Sequence, residues 1–244
     1  MSRFFVKSSM IDGSEITLSE EDSVHLARVL RAGTGEMITV CDENGTEYEA
    51  EIFSISKREV KAKITDYKKS ATEPKIEVTI FQGLPKGSKM ELIIQKCVEI
   101  GVSRIVPVET ARAVVKLNGE KSAEKTKRWN KIAEEAAKQS GRGKIPKVEI
   151  PVSFKEAVGK ASEFDMAIIP YEQHQNADIK SYLRSKSPGN IAVYIGPEGG
   201  FEEEEIKLAK DCGIYAVSLG KRILRTETAP LAVLAVLMYE YDWE

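Results

Sequence analysis

A chain of 244 residues, 42% hydrophobic and 30% charged, can bury one large core or two modest ones and is too apolar to remain disordered. Cysteines at 41, 97 and 212 form no Cys-x-x-Cys pair, and the two histidines, His25 and His174, supply no zinc spacing, so free thiols and no metal site are expected. The net charge of −2 conceals a basic stretch: residues 85–147 carry 15 Lys and Arg against 7 Asp and Glu, marking the candidate face toward a polyanion.

The opening MSRFFVKSSM lacks the apolar run of a secretory signal, and the longest apolar run, 229–238, is about half of the roughly 20 residues that cross a bilayer. The expectation is a cytoplasmic protein with no membrane partner. SVHLARVLR (23–31) reads as a short helix with Val24, Leu26, Val29 and Leu30 near one face, stopped by Gly33. Between 36 and 67, EMITVCD, TEYEAEIFSI and EVKAKITDY alternate apolar with polar and are separated by ENG and KR, which predicts antiparallel strands. Asn44-Gly45 suits the first turn, since both residues tolerate positive φ. Polar, proline-bearing KKSATEPK (68–75) then separates two rhythms, giving a small β domain over 1–72 and a larger domain over 73–244.

Beyond that boundary strands and helices alternate, the pattern of a largely parallel sheet covered by helices. IEVTIFQG (76–83) and RIVPV (104–108) are strands, and between them KGSKMELIIQKCVEIG (86–101) places Met90, Ile93, Ile94, Cys97 and Val98 at helical spacing. A basic helix runs from about Ser122 to Gln139 and ends in SGRG; VEI, FDMAIIP, IAVYIGP and IYAVSLG supply further strands.

Three strand ends lead into unusual polar segments: IIPYEQ (168–173), IGPEGG (195–200) and LGKRILRTETAP (219–230). Open α/β sheets bind ligands at the carboxyl edge, so these loops could share one pocket. Each has a plainer account. Gly-Pro-Glu-Gly-Gly also serves as a tight turn before helix-start carboxylates, and TETAP as a cap, with Thr228 at the helix start and Pro230 in its first turn. No Gly-x-Gly-x-x-Gly, P-loop or Gly-x-Ser-x-Gly is present, which removes the main supports of dinucleotide, kinase and hydrolase readings.

Taken together, HLARVLR (25–31), KMELIIQKCVEIGVSRIVPV (89–108), EEAAKQSGRGKIPKV (134–148), IGPEGGFEEEE (195–205) and LGKRILRTETA (219–229) closely resemble the RsmE family of bacterial 16S ribosomal RNA methyltransferases in order and spacing. Glu202 departs from the helix-capping Ser of many relatives. The resemblance implies an α/β fold: a PUA-like β-barrel that helps hold RNA, then a SPOUT-type domain with a trefoil knot. It also implies a homodimer, S-adenosylmethionine as methyl donor, and transfer to uracil N3 of 16S ribosomal RNA within the 30S subunit.

On that basis Pro170, Gly196, Pro197, Glu198, Gly199, Gly200, Leu219, Gly220, Ile223 and Leu224 form the cofactor pocket. Its glycines admit close backbone approach, Leu219, Ile223 and Leu224 form apolar walls, and Glu198 favours a nearby cation. Arg225 stabilises the developing uracil anion and Glu227 orients it or accepts the imide proton, although a helix-start charge accounts for Glu227 equally well. Gln139 and Arg142 hold the base or its phosphate, with Arg31, Lys89 and Arg112 as further RNA contacts. Two other readings share these features: a methyltransferase acting on a different RNA, and a noncatalytic RNA-binding assembly protein.

Overall fold

A computed structural model describes residues 2–56, 58–114, 119–171 and 179–243. Glu172, Gln173 and His174, named above, lie outside the described residues. The chain divides into two compact units, Met1–Glu73 with Ala137–Ile145, and Pro74–Ala136 with Pro146–Glu244.

The first unit opens with β1 (Arg3–Val6), β2 (Ile11–Asp12) and β3 (Glu15–Thr17), the last two joined at Gly13, φ 57°. Ser19 then caps α1 (Glu20–Val24) by accepting from the Asp22 amide at 3.1 Å, and three carboxylates in its first turn favour the helix dipole. From His25 to Leu30 the helix widens to π pitch and ends at Arg31, in the left-handed region at φ 54°. This corrects the expected apolar face: with the wider turn Leu26 is buried, whereas Val29 and Leu30 are 65% and 44% exposed.

β4 (Met37–Asp42), β5 (Thr46–Ile55) and β6 (Val60–Lys69) follow, in a sheet ordered β1-β4-β5-β6-β3-β2. Only β1 against β4 is parallel. Phe4, Ile16, Leu26, Val40, Ile52 and Val60 fill the core of this unit. The β4–β5 turn differs from expectation in its cause. Gly45 alone takes positive φ there, at 81°, and the Asp42 carboxylate shapes the turn by accepting from the Asn44 and Thr46 amides at 2.9 and 2.8 Å.

In the second unit β7 (Glu77–Gly83) leads to α2 (Lys89–Ile100), which buries the expected stripe and stops at Gly101, φ 120°. β8 (Arg104–Glu109), α3 (Gly119–Ser140), β9 (Lys147–Val148), β10 (Val152–Ser153), α4 (Phe154–Gly159), β11 (Met166–Pro170), α5 (Ile179–Arg184), β12 (Asn190–Ile195), α6 (Glu203–Asp211), β13 (Tyr215–Val217) and α7 (Ala229–Tyr241) complete it. The last residues of α3, from Ala137, cluster with the first unit.

All seven strands of the second sheet run parallel, ordered β10-β8-β7-β12-β11-β13, with β9 also on β8. Parallel central strands are covered on both faces and therefore read as continuous apolar runs, as NIAVYI of β12 does. Phe81 of β7 stacks on Tyr194 of β12 with centroids 4.5 Å apart, and burying each such ring contributes about 1.5–3 kcal/mol. Because the strands are parallel, the carboxyl ends of β7, β11, β12 and β13 open on one edge.

Candidate active site

The loops after β11, β12 and β13 enclose a cavity of about 630 Å³ at that edge. Pro170 and Tyr171 come from the first loop, Ile195–Glu198 with Gly200 and Phe201 from the second, and residues 218–227 with Ala229 from the third, while Lys89 enters from α2. Among the described residues no group of His, Cys, Asp and Glu could hold a metal ion.

Backbone closeness builds the glycine turn. The Gly200 amide donates to the Pro197 carbonyl at 2.9 Å, with Gly200 at φ 68°. A Cβ on Gly196 would stand 3.2 Å from Gly200 Cα, and one on Gly83 would meet Pro197 at 2.7 Å, so side chains there would force the turn off the end of β7. Thr226 then ties the third loop to the second, its hydroxyl donating to the Gly196 carbonyl at 2.7 Å and accepting from Gln82 Nε2 at 3.1 Å. Gln82 is fully buried and its amide also donates to the Gly83 carbonyl at 3.0 Å.

Charges of both signs meet inside. Lys89 Nζ lies 2.7 Å from Glu198 Oε1 and 3.6 Å from Glu227 Oε2, and Arg225 Nη1 lies 4.0 Å from Glu227 Oε1. The hydrogen bond to Glu198 raises the Lys89 ammonium above its usual range. Burial pushes the Glu198 carboxyl up, but the hydrogen bonds it accepts from Lys89 and nearby amides, Lys86 among them, outweigh that and hold it below the ordinary carboxylate range. Glu227 Oε2 is buried and accepts no hydrogen bond among the described residues. An open acceptor in a cavity wall is a place for a ligand N–H or O–H.

Residues 72–238 match the family described as RNA methyltransferase domain, and 18–65 that described as RNA methyltransferase PUA domain. Ribosomal RNA small subunit methyltransferase E of Bacillus subtilis is 35% identical, with 99% of this chain and 98% of that protein aligned. The chain belongs to the ribosomal RNA small subunit methyltransferase E family. A family structure from Neisseria gonorrhoeae, bound to S-adenosyl methionine, superposes at TM-score 0.89 with 33% identity over 99% of this chain and 98% of that one. A Legionella pneumophila putative methyltransferase in complex with SAM does so with the same TM-score, identity and coverage. The α/β fold and its PUA-like amino-terminal domain are those of this methyltransferase E family.

Within this family member, the residues singled out from the sequence separate by place. Pro170, Gly196, Pro197, Glu198, Gly200, Leu219, Gly220, Ile223, Leu224, Arg225 and Glu227 line the cavity, although Ile223 is 79% exposed. Gly199 does not line the cavity; its carbonyl accepts from Arg112 Nη1 at 2.9 Å. Lys89, read from the sequence as an RNA contact, stands in the cavity wall.

Arg31, Gln139 and Arg142 belong to the first unit, the first two exposed. Arg142, read from the sequence as a candidate to hold the base or its phosphate, is 4% exposed and grips Glu73 through Nε and Nη2 at 2.9 and 2.7 Å. At the start of α7 the Thr228 side chain makes no capping bond, another correction. Sequence reasoning missed Gln82 and Thr226, whose one visible signal was a lone amide closing the apolar strand EVTIFQG.

Proposed function

We propose that this protein transfers a methyl group from S-adenosylmethionine to N3 of a uridine in 16S ribosomal RNA, acting on the 30S subunit. The observation that carries this reading is the three-loop cavity at the carboxyl edge, with a glycine turn that a Cβ would block and an open carboxylate oxygen on Glu227.

The residues present fit the cofactor. An adenosine and an amino acid on a sulfonium carry no phosphate, so the site needs apolar walls and backbone edges rather than an anion cradle. Leu219, Leu224 and Ile195 supply the walls, and Gly196, Gly200 and Gly220 expose backbone to an approaching ring. When bound, the cofactor supplies an electrophilic methyl group. The chain's own residues then make the base reactive. Uracil N3 keeps an imide proton, and Glu227 Oε2, which accepts no hydrogen bond among the described residues, is the acceptor for it. Arg225, 82% exposed, is free to swing onto the negative charge left on the ring. Because N3 lies on the Watson–Crick edge, the target enters unpaired or flipped.

In this reading residues 1–72 form the RNA-holding domain and 73–244 the methyltransferase domain, with Arg31, Gln139 and Arg112 touching RNA. A homodimer, a knotted carboxyl-terminal segment and a cytoplasmic location belong to the same proposal. Labelled methyl transfer to 30S subunits lacking the modification, with mapping of the product base, tests it directly. The expected product is N3-methyluridine in 16S RNA. Label on another base or another RNA overturns the substrate assignment, and no transfer with intact cofactor binding overturns the enzymatic one. Gly196→Val is expected to remain folded by circular dichroism and to lose calorimetric binding of the cofactor.

A further inference from the structure

The proton acceptor assigned above stands next to a cation that ought to claim it. Lys89 carries three N–H donors and pairs with Glu227 Oε2 only as a loose ion pair at 3.6 Å, while its short hydrogen bond, 2.7 Å, goes to Glu198. Charge-assisted bonds of that length are the strong ones. Glu198 is fixed in turn from the other side, its carboxylate accepting from the Lys86 amide at 3.1 Å. Lys86 lies in the loop that leads into α2, and Lys89 begins that helix, so one segment both anchors the Glu198 carboxylate and presents the ammonium to it. The remaining cation near Glu227, Arg225, stands 4.0 Å from Oε1 and leaves Oε2 untouched.

We infer that Glu198 is a positioning residue for the reaction: by holding Lys89 it keeps Glu227 Oε2 open to accept the imide proton. This rests on the methyltransferase reading of the cavity. Without the Glu198 charge, Lys89 closes the short gap onto Glu227 and fills the acceptor. Glu198 and Lys89 then act as a coupled pair. Loss of the carboxylate harms the reaction through the lysine, and removing the lysine as well relieves that harm. A Glu198 that served only to attract the cationic cofactor, or only to pin the turn, would give no such relief.

The test uses the full-length protein and 30S subunits lacking the modification, with single-turnover rates at saturating RNA and cofactor for wild type, Glu198→Gln, Lys89→Met and the double variant. Glutamine retains an oxygen for the Lys86 amide while removing the charge. Glu198→Gln is expected to slow the step by roughly 100-fold, the scale of a displaced catalytic group. Adding Lys89→Met is expected to restore the rate by roughly 10-fold or more, a coupling typical of side chains in direct contact. Calorimetric cofactor affinity, measured alongside, is expected to change far less than the rate. A double variant no faster than Glu198→Gln overturns the inference, as does a Glu198→Gln rate equal to wild type or a loss confined to cofactor affinity. A wild-type protein with no transfer activity overturns the underlying methyltransferase reading instead.

Discussion

Two arginine–glutamate pairs, one in each unit, are built from the same side chains and behave as opposites. In the first unit Arg142 meets both oxygens of Glu73, and the Gly143 and Lys144 amides donate to the same carboxylate at 2.8 and 3.2 Å. Both carboxylate oxygens are used, and the Arg142 side chain is 5% exposed. In the second unit Arg225 and Glu227 approach only to 4.0 Å, the arginine is 82% exposed, and one buried carboxylate oxygen accepts no hydrogen bond among the described residues. Removing one member of a closed pair of this kind is costly, whereas an open pair has bonding capacity left for a ligand.

Breaking the closed pair is expected to have the largest effect. Arg142→Ala takes the cation from a half-buried carboxylate that keeps only its two backbone donors and should cost up to about 3 kcal/mol, read as lost hydrogen-exchange protection of the β4 and β5 amides. Unchanged protection would mean that water compensates Glu73. Next comes the open pair, where stability is expected to stay and chemistry to fall. Arg225→Lys keeps the charge but not the planar fork, and single-turnover methyl transfer at saturating RNA should drop about 100-fold with cofactor affinity retained. A loss recovered at high RNA concentration would move Arg225 to phosphate binding.

The smallest effect is a pH slope confined to the closed pair. Burial alone would raise the Glu73 carboxyl, but the Arg142 guanidinium and the two amides outweigh it, so its folded value lies below the ordinary carboxylate range. Unfolded Glu73 therefore takes up a proton at a pH where the folded residue does not. Its stabilising contribution is complete above the ordinary range and is lost as the pH falls through the depressed value, at no more than about 1.4 kcal/mol per pH unit for one group. Glu73→Gln should flatten that part of the acid-unfolding curve, and an unflattened curve would assign the slope to other carboxylates.

The sequence was most legible where one property repeats. The α2 stripe and the apolar strands β7, β8, β11 and β12 announce themselves because burial imposes a period on neighbouring residues. β1, β2 and β3 did not, since strands of two to four residues carry almost no period and β1 finds its partner β4 more than thirty positions away. The widening of the helix at His25 left no mark in composition either. At the site, glycines flag close backbone approach, which made the turn after β12 visible. Charges record no partners. That Lys89 faces Glu198, 109 positions on, and that Arg142 faces Glu73 could not be read from residue types.

The Thr226 hydroxyl, seated between Gln82 and the Gly196 carbonyl, joins points 144 and 30 residues apart. During synthesis the glycine turn therefore leaves the ribosome before the residue that fastens it, and β7 waits for β12 before its central place in the sheet exists. Such long-range pairings form late, after local helices such as α2 have had time to settle. A nascent chain that has emerged only through Phe201 carries the turn without its clasp. The cavity is therefore complete only after residues 218–227 have been made and docked.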